Sequence, residues 1–205
     1  MATQGPLQPG TAANDTSVGT IAWSTVDNAK ASDNAYATAL LATINVQSNY
    51  LKLTNFGFTI TGTPLGALVE VELSKSGGGT ASDVAVRIVK GGTIGATDRS
   101  SGVSWPTTDT YRSYGGSSDL WGESWLVGDV NASDFGFVIS AKNTSASPVT
   151  LQVDDVRITW TYTPADIAFM ASGLSLLAGL TVLSQTISLR YGVYPRRRCA
   201  RKAAW

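Results

Sequence analysis

The 205-residue chain has no histidine, one cysteine and only 15% charged residues. Without histidine there is no Ser-His-Asp triad, no Cys-His pair and no histidine-ligated zinc or haem. Cys199 alone makes neither an intramolecular disulfide nor a thiolate cluster. No Ser-x-x-Lys is present from which serine–lysine catalysis could start. Gly91-Gly92-Thr93-Ile94-Gly95 follows an apolar run, yet no Gly-Lys-Ser/Thr continues it, so it reads as a turn and not a phosphate loop. The opening MATQGPLQPGTAANDTSVGT has neither a charged region nor an apolar stretch, so no secretory signal peptide is expected there. The sequons at Asn14, Asn131 and Asn143 are accordingly expected to be chance.

What the chain does have is glycine (21), serine (22) and threonine (24), about a third of its residues. That balance favours a turn-rich β-protein, and 205 residues suffice for one domain with its own core. Charge is unevenly placed: up to Asp166 there are fifteen acidic and nine basic residues, and beyond it six basic residues and no acid. The expected organisation is an N-terminal arm (1–19), a β-sandwich (20–164), a hydrophobic helix (165–190) and a basic tail (191–205).

Short apolar or alternating runs separated by Gly, Asn, Asp, Ser and Pro predict strands near 20–24, 35–43, 49–60, 67–75, 83–90, 110–114, 121–126, 135–142 and 149–163. Val156, Ile158, Trp160 and Tyr162 alternate with Arg157, Thr159, Thr161 and Thr163, so one face packs and the other is wet. Ala67, Val69, Val71 and Leu73 alternate with Leu68, Glu70, Glu72 and Ser74, and Phe135, Phe137 and Ile139 with Gly136, Val138 and Ser140. No helix is expected before residue 166. The fold class is therefore all-β, an antiparallel two-sheet sandwich of jelly-roll type with a C-terminal hydrophobic helix.

Several stretches carry a resemblance: Ser32–Thr38, Tyr50–Phe58, Ala67–Glu72, Val86–Gly92, Asp119–Gly122, Asp129–Asn131 and Val153–Thr159. Together, over roughly residues 10–163, they resemble a jelly-roll-like module that recurs in uncharacterised structural proteins of bacteriophages and in bacterial surface proteins. The resemblance implies a non-enzymatic building or binding module and carries over no catalytic residue.

Ile167 to Leu189 is 23 residues without a charge, led by Ile167, Phe169, Leu174, Leu177, Leu180 and Leu183. As a helix it would rise about 34 Å, enough for a hydrocarbon core of roughly 30 Å. Membrane insertion, an assembly helix buried in protein and a terminal strand pair are the three readings; Ala171, Gly173, Ala178 and Gly179 allow the close helix approach of the first two. Arg196, Arg197, Arg198, Arg201 and Lys202 would meet anionic lipid headgroups or nucleic-acid phosphates, or serve as a solvated flank.

Three constellations in the body carry possible chemistry. Glu70 and Glu72 share a strand face, as acid and nucleophile do in some jelly-roll glycosidases, but two solvent-facing glutamates on an amphipathic strand are the commoner pattern. Asp129, Asn131, Ser133 and Asp134 space oxygens like the start of a calcium loop, without its glycine and final glutamate; an Asx-rich turn is the alternative. Trp105, Tyr111, Tyr114, Trp121 and Trp125 form either a ligand-facing aromatic patch for glycans or core and interface packing. No cofactor is expected. The leading functional expectation is a virion component, a capsid, decoration or membrane-associated protein that associates with itself and with other shell proteins. A carbohydrate-binding module of a phage tail or cell surface is the alternative, and a glycosidase the third reading.

Overall fold

A computed structural model describes residues 1–165 of the protein. The expectations for the apolar helix 165–190 and the basic tail 191–205 fall outside the described residues. In chain order the strands are β1 (Ala2–Leu7), β2 (Thr11–Asp15), β3 (Ala37–Leu41), β4 (Tyr50–Thr54), β5 (Gly62–Ser76), β6 (Ala81–Lys90), β7 (Thr93–Ile94), β8 (Thr110–Gly115), β9 (Gly136–Asn143) and β10 (Val149–Pro164), with a short helix α1 (Val127–Asn131) before β9.

They form two antiparallel sheets. The first runs β1-β10-β5-β8, with β3 also on β10; the second runs β2-β4-β9-β6-β7. β10 is the spine of the first sheet: β3 pairs with Val149–Val153 and β1 with Ile158–Tyr162, while β5 runs along its other side. The inward rows meet in one core, where Val69, Val71, Leu73, Val156, Ile158 and Trp160 of the first sheet and Leu51, Leu53, Val86, Ile88, Phe137 and Ile139 of the second are all fully buried. At about 25 cal/mol per Å² of apolar surface removed from water, this interior is the main source of stability.

The alternation read in β5 and β10 matches the burial in large part: Ala67, Val69, Val71, Leu73, Val156, Ile158 and Trp160 are 0% exposed and Tyr162 is half-buried, while Glu70, Glu72, Arg157 and Thr159 are half-buried on the outer face. Ser74 and Thr161, expected on the wet face, are buried, covered by neighbouring strands. The register shifts between Val153 and Asp155, so the consecutive acids Asp154 and Asp155 occupy a bulge. Strand β9 departs from the expected wet face, because Val138 and Ser140 are also 0% exposed. Val138 belongs to a second apolar cluster with Tyr50, Ala85 and Val89, against which Val18 and Ile94 pack on the outer side of the second sheet.

Other boundaries differ from expectation. Residues 1–19 are not a free arm, since β1 and β2 supply an edge strand to each sheet. The run 20–24 is not a strand and makes only the isolated bridges Ile21 to Ser48 and Ser24 to Thr38. The long run 49–60 ends as a strand at Thr54, because Asn55 and Gly57 take positive φ values of 62° and 71°. The run 121–126 is a loop, and α1 is a helix where none was expected.

Candidate functional site: the outer face of the first sheet

Register sets one row of side chains across three strands: Asp155 of β10 opposite Glu72 of β5, and Glu72 opposite Tyr111 of β8. The adjacent row is Arg157, Glu70 and Ser113. The Tyr111 hydroxyl donates to Asp155 Oδ2 at 3.0 Å, and Gln8 Nε2 donates to Asp155 Oδ1 at 3.0 Å. Arg157 donates through Nε and Nη2 to the two oxygens of Glu70 at 3.0 and 3.3 Å, a bidentate pair. The same guanidinium lies 3.8 Å from the centre of the Tyr111 ring, a cation–π contact.

The segment before β3 joins this face. Main-chain N–H groups of Asp33 and Asn34 donate to the two oxygens of Asp154 at 3.3 and 3.1 Å, and Tyr36 donates its hydroxyl to Asp109 Oδ2 at 2.6 Å. Burial pushes the carboxyls of Asp154 and Asp155 above their ordinary range, reinforced in each case by the nearby charge of Glu72. Desolvation raises the Tyr111 hydroxyl to about 12, and the bond to Asp109 raises Tyr36 to about 12. One oxygen of Glu72, Oε2, is buried without a hydrogen-bond partner. The face is thus acidic, with two half-buried tyrosines, an arginine and an amide beside its carboxylates.

Of the five aromatics expected as a patch, only Tyr111 stands on this face. Trp105, Tyr114, Trp121 and Trp125 are 2%, 4%, 0% and 8% exposed. Trp121 donates its indole N–H to the carbonyl of Ala67 at 2.9 Å, and Trp125 donates to that of Leu120 at 2.9 Å. Trp125 packs edge-on to Trp160 with ring centres 5.1 Å apart, and Trp105 lies 6.5 Å from Trp23. These rings are core, because between two sheets they remove more apolar area from water than any other side chain could. Gly115 makes room for one of them: its φ is +72°, and a Cβ there would stand 2.6 Å from the Trp121 Nε1.

The calcium spacing is put to structural use instead. Asp129 Oδ2 accepts from the Leu126 N–H at 2.9 Å and pairs with Lys90 at 3.2 Å, while Asn131 holds both main-chain groups of Ile60 at 3.0 Å. Ser133 and Asp134 are exposed. Among the described residues no group of three or more Cys, Asp or Glu is arranged to hold a metal ion. Glu70, a candidate acid or nucleophile in the glycosidase reading, is held by Arg157.

Sequence reasoning missed Tyr36, Asp109, Gln8 and the Asp154–Asp155 bulge as members of one face. The bulge had a signal: two successive acids interrupt an otherwise strict alternation in β10.

No family model and no curated protein matches the chain. A solved structure described as "CBM4 structure and function" is similar at 15% identity, over 62% of this chain and 84% of that one, with a TM-score of 0.37. A likeness at this level assigns neither ligand nor activity.

Proposed function

We propose that the protein is a non-enzymatic structural module that assembles with copies of itself and with other shell proteins, as a virion component built in the host cytoplasm. One observation carries the reading: the body uses its chemistry-bearing side chains to close itself. Four of the five clustered aromatics are core, Glu70 is neutralised by Arg157, and Asp83 by Arg112. The sequence resemblance of residues 10–163, to modules of bacteriophage structural proteins and of bacterial surface proteins alike, fits a building or binding module and motivates this reading. The apolar segment from Ile167 to Leu183 supplies the anchor to a membrane or a neighbouring subunit, and Arg196 to Lys202 its contact with headgroups or phosphates. Light scattering on the full chain and on a chain ending at Asp166, each with and without mild detergent, tests this. Uniform large particles of the full chain without detergent support assembly; monomers of both overturn it.

A second reading, glycan binding, is favoured by Tyr36 and Tyr111, half-buried rings set among carboxylates, an arginine and an amide on the outer face of the first sheet. Sugar rings stack on such surfaces while their hydroxyls bond to the flanking groups. Titration calorimetry with soluble polysaccharides on the full chain and on Tyr36→Ala and Tyr111→Ala variants tests it. Heat that both variants lose supports this reading, and no heat from any polysaccharide overturns it.

A further inference from the structure

We infer that β1 is an exchangeable arm: in the assembled protein it leaves its own β10 and pairs with the Ile158–Tyr162 edge of β10 in a second copy, which returns its own β1. The inference rests on the assembly reading above and names its interface.

Three observations carry it. The first concerns what holds β1. None of its six residues is buried, and of the first fifteen residues of the chain only Pro9 is. Leu7 is the one β1 side chain that packs against the core, and it is only half-buried, so detaching β1 exposes far less apolar surface than detaching a central strand would. Its attachments are main-chain pairing of Ala2, Thr3, Gln4 and Leu7 with Tyr162, Thr161, Trp160 and Ile158, and a solvent-exposed double link in which Gln4 Nε2 donates to Thr59 Oγ1 and Thr59 N donates to Gln4 Oε1, both at 3.0 Å.

The second concerns the connection. Residues Gln8 to Gly10 carry the chain from β1 in the first sheet to β2 in the second. Buried Pro9 and the bond from Gly10 N to Asn55 O at 2.9 Å fix the far end of this link to the body. Once the bond from Gln8 Nε2 to Asp155 Oδ1 opens, a strand on one sheet, tied by three residues to a strand on the other, can swing out without disturbing the second sheet.

The third concerns what is left behind. β3 already occupies Val149–Val153 on the same side of β10, so the departure of β1 opens a short edge beside the fully buried Ile158 and Trp160. An unpaired edge in water invites strand addition. The strand whose length and register already fit that gap is β1 of another copy. Exchange restores every contact in trans, which is why swapping is a low-cost route to a symmetric dimer.

The test uses the full chain with Cys199→Ser, Thr3→Cys and Thr161→Cys, since Thr3 and Thr161 are register partners. The protein is bridged at that pair by oxidation, or by a short bis-maleimide, at a concentration where light scattering reports its mass, and is then run denatured without reductant. Covalent dimers are the expected result. Oligomers by scattering with only internally closed monomers on the gel overturn the exchange and leave the assembly reading standing. Monomers by both measurements overturn the two together.

Discussion

Asp83 of β6 and Arg112 of β8 form an ion pair of 2.8 Å that ties one sheet to the other, with the Asp83 side chain fully buried. Ser101 also donates its hydroxyl to Asp83 at 2.9 Å, and Arg112 continues to the carbonyls of Val103 and Ser104 at 3.0 and 2.9 Å. The pair pins the 101–104 loop at the end of the sandwich where β6 and β8 approach.

Removing one partner should therefore be costly. Arg112→Ala strands a buried carboxylate, for which a loss of about 3–5 kcal/mol is expected. Asp83→Leu combined with Arg112→Met should recover much of it. Urea unfolding of the two variants against the parent checks the order; an Arg112→Ala variant as stable as the parent would show that the pair contributes nothing.

Acid titration of stability should show Asp155. Its carboxyl titrates above the ordinary value of 3.8 in the fold, chiefly through burial, so the folded state binds the proton more tightly than the unfolded chain does. The charged form is thus a burden at neutral pH, relieved as pH falls toward 3.8. Asp155→Asn removes that burden while keeping an acceptor for Tyr111 or Gln8, so it should match or exceed the parent at pH 7 and lose part of the gain on mild acidification. Asp119 runs the other way: the bonds from Arg99 hold its carboxyl below 3.8, and the stability it adds is lost only as pH falls below that value.

Asn131→Ala deletes two hydrogen bonds to the main chain of Ile60. A loss of about 2 kcal/mol is expected, since two buried main-chain groups lose their partner. Thermal unfolding reads it. Asn14 holds both main-chain groups of Trp23 at 2.7 and 2.8 Å, and Asn143 is 0% exposed, so all three sequons serve the fold.

Tryptophan emission should report the core. Trp23, Trp105, Trp121, Trp125 and Trp160 are all at most 8% exposed. In a Trp205→Phe background, acrylamide should quench the folded protein weakly and the unfolded chain strongly. Strong quenching of the folded form would place one of these rings at the surface.

Much of the sandwich was legible in the residues. The apolar rows of β5 and β10 read correctly because period-two alternation is set by the pleat and those rows line the core; Ser74 and Thr161 on the other face are buried too, which the pattern did not foretell. Trp121–Leu126 misread because apolar residues also cover the end of a core without pairing: Trp121 has φ 57° and Gly122 φ 74°, two successive left-handed residues that turn the chain out of an extended path. β1 and β2 were invisible because neither buries a residue, so no alternation marks them.

By itself, the sequence determined the absence of histidine chemistry, the turn-rich β composition, the two best strands and the separation of an acidic body from a basic end. These follow from residue types and local spacing. Only the tertiary structure decided that four of five clustered aromatics are core, that Tyr111 meets Asp155 across 44 positions of chain, and that the first fifteen residues edge both sheets. Those outcomes depend on register between strands distant in sequence, which is fixed by how the buried faces of two sheets fit together and by no local pattern.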